Sequence, residues 1–133
     1  MPQRIQRKRT KGWRMPAGAI SVGRPSAFGN PAMIEVVPSD RERFTVYAGD
    51  VGPIIGSFLT RSEAHQRAVR WFQWWIQHTD GTIWSSHNLS HAYADAHRQL
   101  TERLPELAGH DLACWCPLEL ECHADVLLEL ANR

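Results

Sequence analysis

The chain has 133 residues and a mass of 15.2 kDa, of which 43% are hydrophobic and 22% charged. A chain of this size buries roughly two-thirds of its unfolded surface, so one domain with its own core is expected. That composition, with six Trp, excludes a disordered, fibrous or disulfide-stapled chain, and no apolar run reaches the roughly 20 residues of a membrane span.

The formal net charge of +1 hides an asymmetry. Residues 1–16 hold Arg4, Arg7, Lys8, Arg9, Lys11 and Arg14 and no acid. The remaining residues are net acidic. A basic N-terminal arm on a mildly acidic body suits phosphate, so Arg7, Lys8, Arg9, Lys11, Trp13 and Arg14 are candidate nucleic-acid contacts, Trp13 by stacking on a base. The alternative is an arm that docks on the body itself, anchored by Trp13. No apolar stretch follows the basic start, so no secretory signal is read there. The three cysteines, Cys114, Cys116 and Cys122, are an odd number and fit free thiols in a reducing cytoplasm.

After the arm, residues 17–133 read as a single α/β domain. Ala19–Val22 reads as a short strand. Gly23-Arg24-Pro25-Ser26-Ala27-Phe28-Gly29-Asn30-Pro31 follows, and its Gly and Pro density forces a turn-rich loop. Met33–Val37 reads as a second strand and Pro38–Glu42 as a turn. Phe44–Ala48 and Ile54–Phe58 flank Gly49–Pro53 as a β-hairpin. Thr60-Arg61-Ser62-Glu63 has capping-box spacing and opens a helix to about His78. Ala64, Ala68, Trp71, Phe72 and Trp75 form its apolar stripe, with Trp74 at the edge. A second helix is predicted from about Ser90 to Leu104, with Ala92, Tyr93, Ala96, Leu100 and Leu104 inward and Pro105 ending it. Asp111–Cys116 reads as a strand. After a short loop, Cys122-His123 opens a third helix whose inner stripe is Ala124, Leu127, Leu128 and Ala131.

Several of these segments carry a resemblance. They are Arg7-Lys8-Arg9-Thr10-Lys11-Gly12-Trp13-Arg14-Met15-Pro16, Val22-Gly23-Arg24-Pro25-Ser26 with Gly29-Asn30-Pro31, and Leu112-Ala113-Cys114-Trp115-Cys116-Pro117 with Cys122-His123-Ala124-Asp125-Val126-Leu127-Leu128. Together they resemble the uncharacterised domain-of-unknown-function family 4326, common in actinobacteria and their phages. The resemblance spans nearly the whole chain. It implies a bacterial or phage protein of the cytoplasm with one α/β domain, and it implies no established activity.

The Cys/His ending admits three readings. In the first it lines a substrate pocket. A thiol at a helix N-terminus is drawn toward thiolate, so Cys122 is the candidate catalytic nucleophile and His123 its base or ion-pair partner. Arg24, Ser26, Asn30, Cys114 and Cys116 would bind substrate, Arg24 through phosphate or carboxylate. In the second, three Cys and one His hold zinc. Adjacent Cys122 and His123 would then have to wrap one ion, so zinc is not favoured and no metal ligand is assigned. In the third, the cysteines fill a core strand and His123 donates to a backbone carbonyl.

Other motifs carry less. His87 and His91 lack the Glu of a zincin pair, because Asn88 stands in its place. There is no Walker loop and no Gly-x-Ser-x-Gly elbow.

The expectation is a compact α/β domain with a small mixed or largely parallel sheet and about three helices. Its leading function is to bind or modify a nucleotide or nucleic acid through the Cys/His/Arg pocket. A non-enzymatic phage factor that binds a host protein is the alternative, and a zinc-stabilised binding module the third. No reaction is legible, so the sequence leaves open whether the protein is an enzyme. The site rests on one spatial expectation: the loop after Ala19–Val22 must face the sulfur-bearing end of the last strand.

Overall fold

Leu112, Ala113 and Cys114 are all buried, as in a strand covered on both faces. In the computed structural model they form the middle of a small parallel sheet. The structure describes residues 1–38, 43–49, 53–81 and 90–133, with only the backbone of residues 90 and 91. In chain order the elements are β1 (Arg4–Gln6), β2 (Ile20–Ser21), β3 (Met33–Val37), β4 (Arg43–Tyr47), β5 (Ile54–Phe58), α1 (Arg61–His78), α2 (Ser90–Arg103), a 3₁₀ turn (Leu104–Leu107), β6 (Leu112–Cys114) and α3 (His123–Ala131).

The mixed α/β architecture with three helices is present among the described residues. Its strands divide into two sheets: parallel β1-β6-β2 and antiparallel β3-β4-β5. β6 pairs with both neighbours in one direction, placing Ile20 and Arg4 beside Leu112. The antiparallel sheet is a meander in which Met33 faces Tyr47 and Phe44 faces Phe58.

One strand was not predicted. Residues 4–6, read from sequence as part of the basic arm, are the edge strand β1. The last strand is also shorter than predicted: it stops at Cys114, and Trp115 and Cys116 lie in the turn beyond it.

α1 begins as the sequence suggests. Thr60 is the N-cap, and its Oγ1 accepts the Glu63 N–H at 3.2 Å. The return contact differs from a full capping box, because the Thr60 hydroxyl donates to Glu63 Oε1 at 2.8 Å. The stripe Ala64, Ala68, Trp71, Phe72 and Trp75 is buried, joined by Val69 and Ile76, whereas Trp74 is exposed. Trp71 stacks on Trp75 at 5.6 Å, and Trp75 Nε1 donates to the Gly81 carbonyl.

In α2, Tyr93 and Leu100 are buried and Ala96 packs against the core, as does Leu104 just after the helix. Ala92 is exposed. The chain does not stop at Pro105 but tightens into the 3₁₀ turn, whose N-terminal part accommodates proline. α1 packs on the antiparallel sheet and on α3, and α3 packs on β6 and β1. The two helices thereby join the sheets around one core. His87, the side chain of His91, the turn residues 39–42 and the hairpin residues 50–52 lie outside the described residues.

Candidate functional site: a thiol-floored cleft at the carboxyl edge of the parallel sheet

Three parallel strands have their carboxyl ends on one edge, so the segments that leave them meet there. Arg7 N–H bonds the Cys114 carbonyl at 2.8 Å and Val22 N–H bonds that of Ala113 at 2.9 Å. Beyond these bonds run residues 7–9, the Gly23–Asn30 loop and the Trp115–Cys116 turn. Crevices at the carboxyl ends of parallel strands are the usual ligand sites of such sheets.

A cleft of about 300 Å³ opens at this edge. Gly23, Arg24 and Asn30 line it from the loop after β2, and Cys114, Trp115, Cys116, Cys122 and His123 line it from the last strand–loop–helix unit. The two regions that the sequence reading needed face to face do meet. A Cβ on Gly23 would sit 3.9 Å from Cys114 Sγ. α1 supplies His65, Ala68 and Val69 to the same cleft, and β3 supplies Ile34.

The three sulfurs lie within 4.8 Å of one another. Cys114 and Cys116 Sγ are 3.8 Å apart. Cys122 is the N-cap of α3, and its Sγ accepts the Ala124 N–H at 3.5 Å. Cys114 and Cys122 are buried and Cys116 is partly exposed.

Such close thiols titrate as a group. The Cys114 thiol is drawn well below its ordinary value, chiefly by the hydrogen bond from Cys116 and then by that from Cys122. Cys116 is pushed far up, chiefly by its bond to Cys114. Cys122 is pushed up to about 11, first by its bond to Cys114. The shifts belong to the trio as a unit. The helix N-terminus was expected to activate Cys122; the neighbouring sulfur acts the other way and is stronger.

His123 is 5% exposed. Its Nε2 lies 2.8 Å from the Val22 carbonyl oxygen. A carbonyl only accepts, so Nε2 carries the proton and Nδ1 of the neutral ring is an acceptor. Nδ1 is 3.6 Å from Cys122 Sγ. The His123 pKa is lowered, chiefly by burial, with the Arg24 charge acting in the same direction. The ring meets Phe72 edge-on at 5.2 Å. This backbone-carbonyl bond ties α3 to the end of β2 across the cleft.

The loop residues divide in role. Arg24 is exposed and forms no hydrogen bond or ion pair with another described residue. The Asn30 side chain donates to the Ala68 carbonyl at 3.2 Å and accepts the Ala32 N–H at 2.9 Å, clamping the loop on α1. Ser26 is not among the cleft-lining residues; its Oγ accepts the Phe28 N–H at 3.3 Å within the loop.

The basic N-terminal residues also divide. The Arg4 guanidinium donates to the Leu118 and Leu120 carbonyls, both at 2.8 Å, and pairs with Asp125 at 3.4 Å. It shapes the loop before α3. Arg7 donates to Ser21 Oγ at 3.1 Å. Arg7 and Arg9 each sit 4.5 Å from the centre of the Trp115 ring, a cation–π distance. Trp115 lines the cleft, so both cations contact one of its lining side chains. Lys8, Lys11 and Arg14 are exposed, and Trp13 is half-buried.

Residues 5–133 match the family described as "Domain of unknown function (DUF4326)". The chain belongs to that family. No curated protein and no solved structure matches it. Among the described residues, no helix is long and apolar enough to cross a membrane.

His65 and Glu121 were not singled out from sequence. The His65 Nδ1–H donates to the Glu121 carbonyl at 3.0 Å, which leaves Nε2 with a lone pair when the ring is neutral. The signal for His65 was its position one turn before Ala68, beside the buried stripe.

Proposed function

We propose that the protein binds a phosphate-bearing nucleotide, free or within a nucleic-acid strand, in the cleft at the carboxyl edge of the parallel sheet. The carrying observation is the placement of positive charge. Arg24 stands at one side with no bonded partner among the described residues. Arg7 and Arg9 sit on the ring of Trp115, which lines the same cleft. Guanidinium groups recognise phosphate through paired hydrogen bonds. Exposed Lys8, Lys11 and Arg14 continue the positive surface and would follow a longer strand.

In this reading Cys122 and His123 build the floor of the site. Cys122 caps α3 and His123 is bonded to the Val22 carbonyl, so both serve the frame of the site. Mutually close free thiols suit the reducing interior of a bacterial cell, where the protein would act as a bacterial or phage product.

Calorimetry with nucleoside monophosphates and with short single-stranded DNA and RNA tests the reading. Arg24→Ala should weaken every ligand by about 10–100-fold, the worth of a hydrogen bond to a charged group. Lys11→Ala should leave monophosphate binding unchanged and lower the salt slope for a strand by about one. Equal affinity of wild type and Arg24→Ala would overturn the reading.

A further inference from the structure

We propose that Cys114, Cys116 and Cys122 together bind one zinc ion, with the fourth coordination position open to the cleft. This site does not depend on what organic ligand the cleft takes.

The argument starts from distance. Tetrahedral zinc with Zn–S bonds of ~2.3 Å holds its sulfurs about 3.8 Å apart. Cys114 and Cys116 Sγ are 3.8 Å apart, and all three sulfurs lie within 4.8 Å of one another. Small side-chain rotations close the remaining gap. The sulfurs come from three backbone settings: a strand end, the turn after it and a helix N-cap. β6 fixes Cys114 and the α3 N-cap fixes Cys122, while Cys116 follows Cys114 by two residues and contacts its sulfur, so the trio lies together without a metal.

The ligand count follows from His123. The spacing objection to zinc assumed that Cys122 and His123 share one ion. The Val22 carbonyl holds His123 Nε2 at 2.8 Å, and among the described residues only the three sulfurs lie within 4.8 Å of one another, so the site does not need His123 as a ligand. Three thiolates remain, and three protein ligands with a fourth position free is the pattern of reactive rather than purely structural zinc.

The surroundings suit a metal thiolate. The Ala124 N–H already donates to Cys122 Sγ, the kind of outer contact that steadies a ligating sulfur. Cys116 is partly exposed and the cleft opens onto all three sulfurs, so an ion has a route in. Three thiolates around Zn²⁺ carry one net negative charge, and Arg24 lines the same cleft. Each thiol that ligates gives its proton to solvent, so loading acidifies the medium.

Cobalt(II), then zinc(II), titrated into chelator-stripped full-length protein under a non-thiol reductant tests the proposal. One equivalent of cobalt should produce thiolate-to-cobalt charge-transfer absorption and intense tetrahedral visible bands. One equivalent of zinc should bleach both. Cys116→Ser lies outside helix and strand; with an unchanged circular dichroism spectrum, it should bind zinc about 100-fold more weakly. Cobalt bound without the thiolate bands, or Cys116→Ser binding zinc as tightly as wild type, overturns the site. A second readout stands apart from folding of the variant. Zinc should slow alkylation of all three wild-type cysteines, and unchanged alkylation rates reject the proposal. No nucleotide enters any arm, so this result and the phosphate-binding result can fail separately.

Discussion

The antiparallel sheet is three five-residue strands taken in chain order, while the parallel sheet is strands of three, two and three residues drawn from both ends of the chain. The longer strands pair with sequence neighbours and give the cleft a wall at Ile34. The short ones bring together Arg7, Arg24 and three sulfurs from positions roughly a hundred residues apart. Local pairing builds the scaffold here, and non-local pairing assembles the chemistry. The site is therefore sensitive to a few tie points, chiefly His123 and Arg4, which the larger sheet does not need.

The largest expected effect comes from the residue that serves both regions. Phe72 is fully buried, packs on Trp75 at 6.2 Å and meets His123 edge-on. Phe72→Ala should cost about 3–5 kcal/mol in denaturant unfolding. A loss below about 1 kcal/mol would mean that the two halves do not share a core.

A smaller and more local effect is expected at the tie itself. His123→Ala leaves the Val22 carbonyl without its bond, at about 1–3 kcal/mol beyond lost packing. Hydrogen exchange should quicken at Ile20–Val22 and Leu112–Cys114 and stay unchanged in β3–β5. Equal quickening in both sheets would show that the bond is not specific to the cleft edge.

The contrast between the sheets also explains what sequence could reveal. Met33–Val37 and Ile54–Phe58 coincide with β3 and β5 because turn residues bound each run. α1 was legible from its cap and its stripe of Trp and Phe. β1 was not: Arg4-Ile5-Gln6 is three residues among charges, and its partner β6 is far along the chain. Missing β1 hid the reason why Arg7 and Arg9 meet Trp115. The meeting of the Gly23–Asn30 loop with the cysteines was legible, because both follow strands of one parallel sheet. The division between exposed Arg24 and clamped Asn30 was not, since it depends on where Ala68 and Ala32 fall in space.

The smallest effect tests the scaffold alone. Thr60→Ala removes the hydroxyl that accepts the Glu63 N–H and should cost about 1 kcal/mol, read as a lower melting temperature. Nucleotide affinity at a temperature where the variant is folded should match wild type. A large loss of affinity would tie the site to the start of α1.

The most direct measurement is a nitrogen–proton correlation spectrum of the full chain titrated with a nucleoside monophosphate. Saturable shifts should appear at Gly23, Arg24, Trp115 and Cys116, with Thr45 and Ser57 in the antiparallel sheet unmoved. Shifts confined to β3–β5, or none at millimolar ligand, would contradict a phosphate site at the thiol-bearing edge.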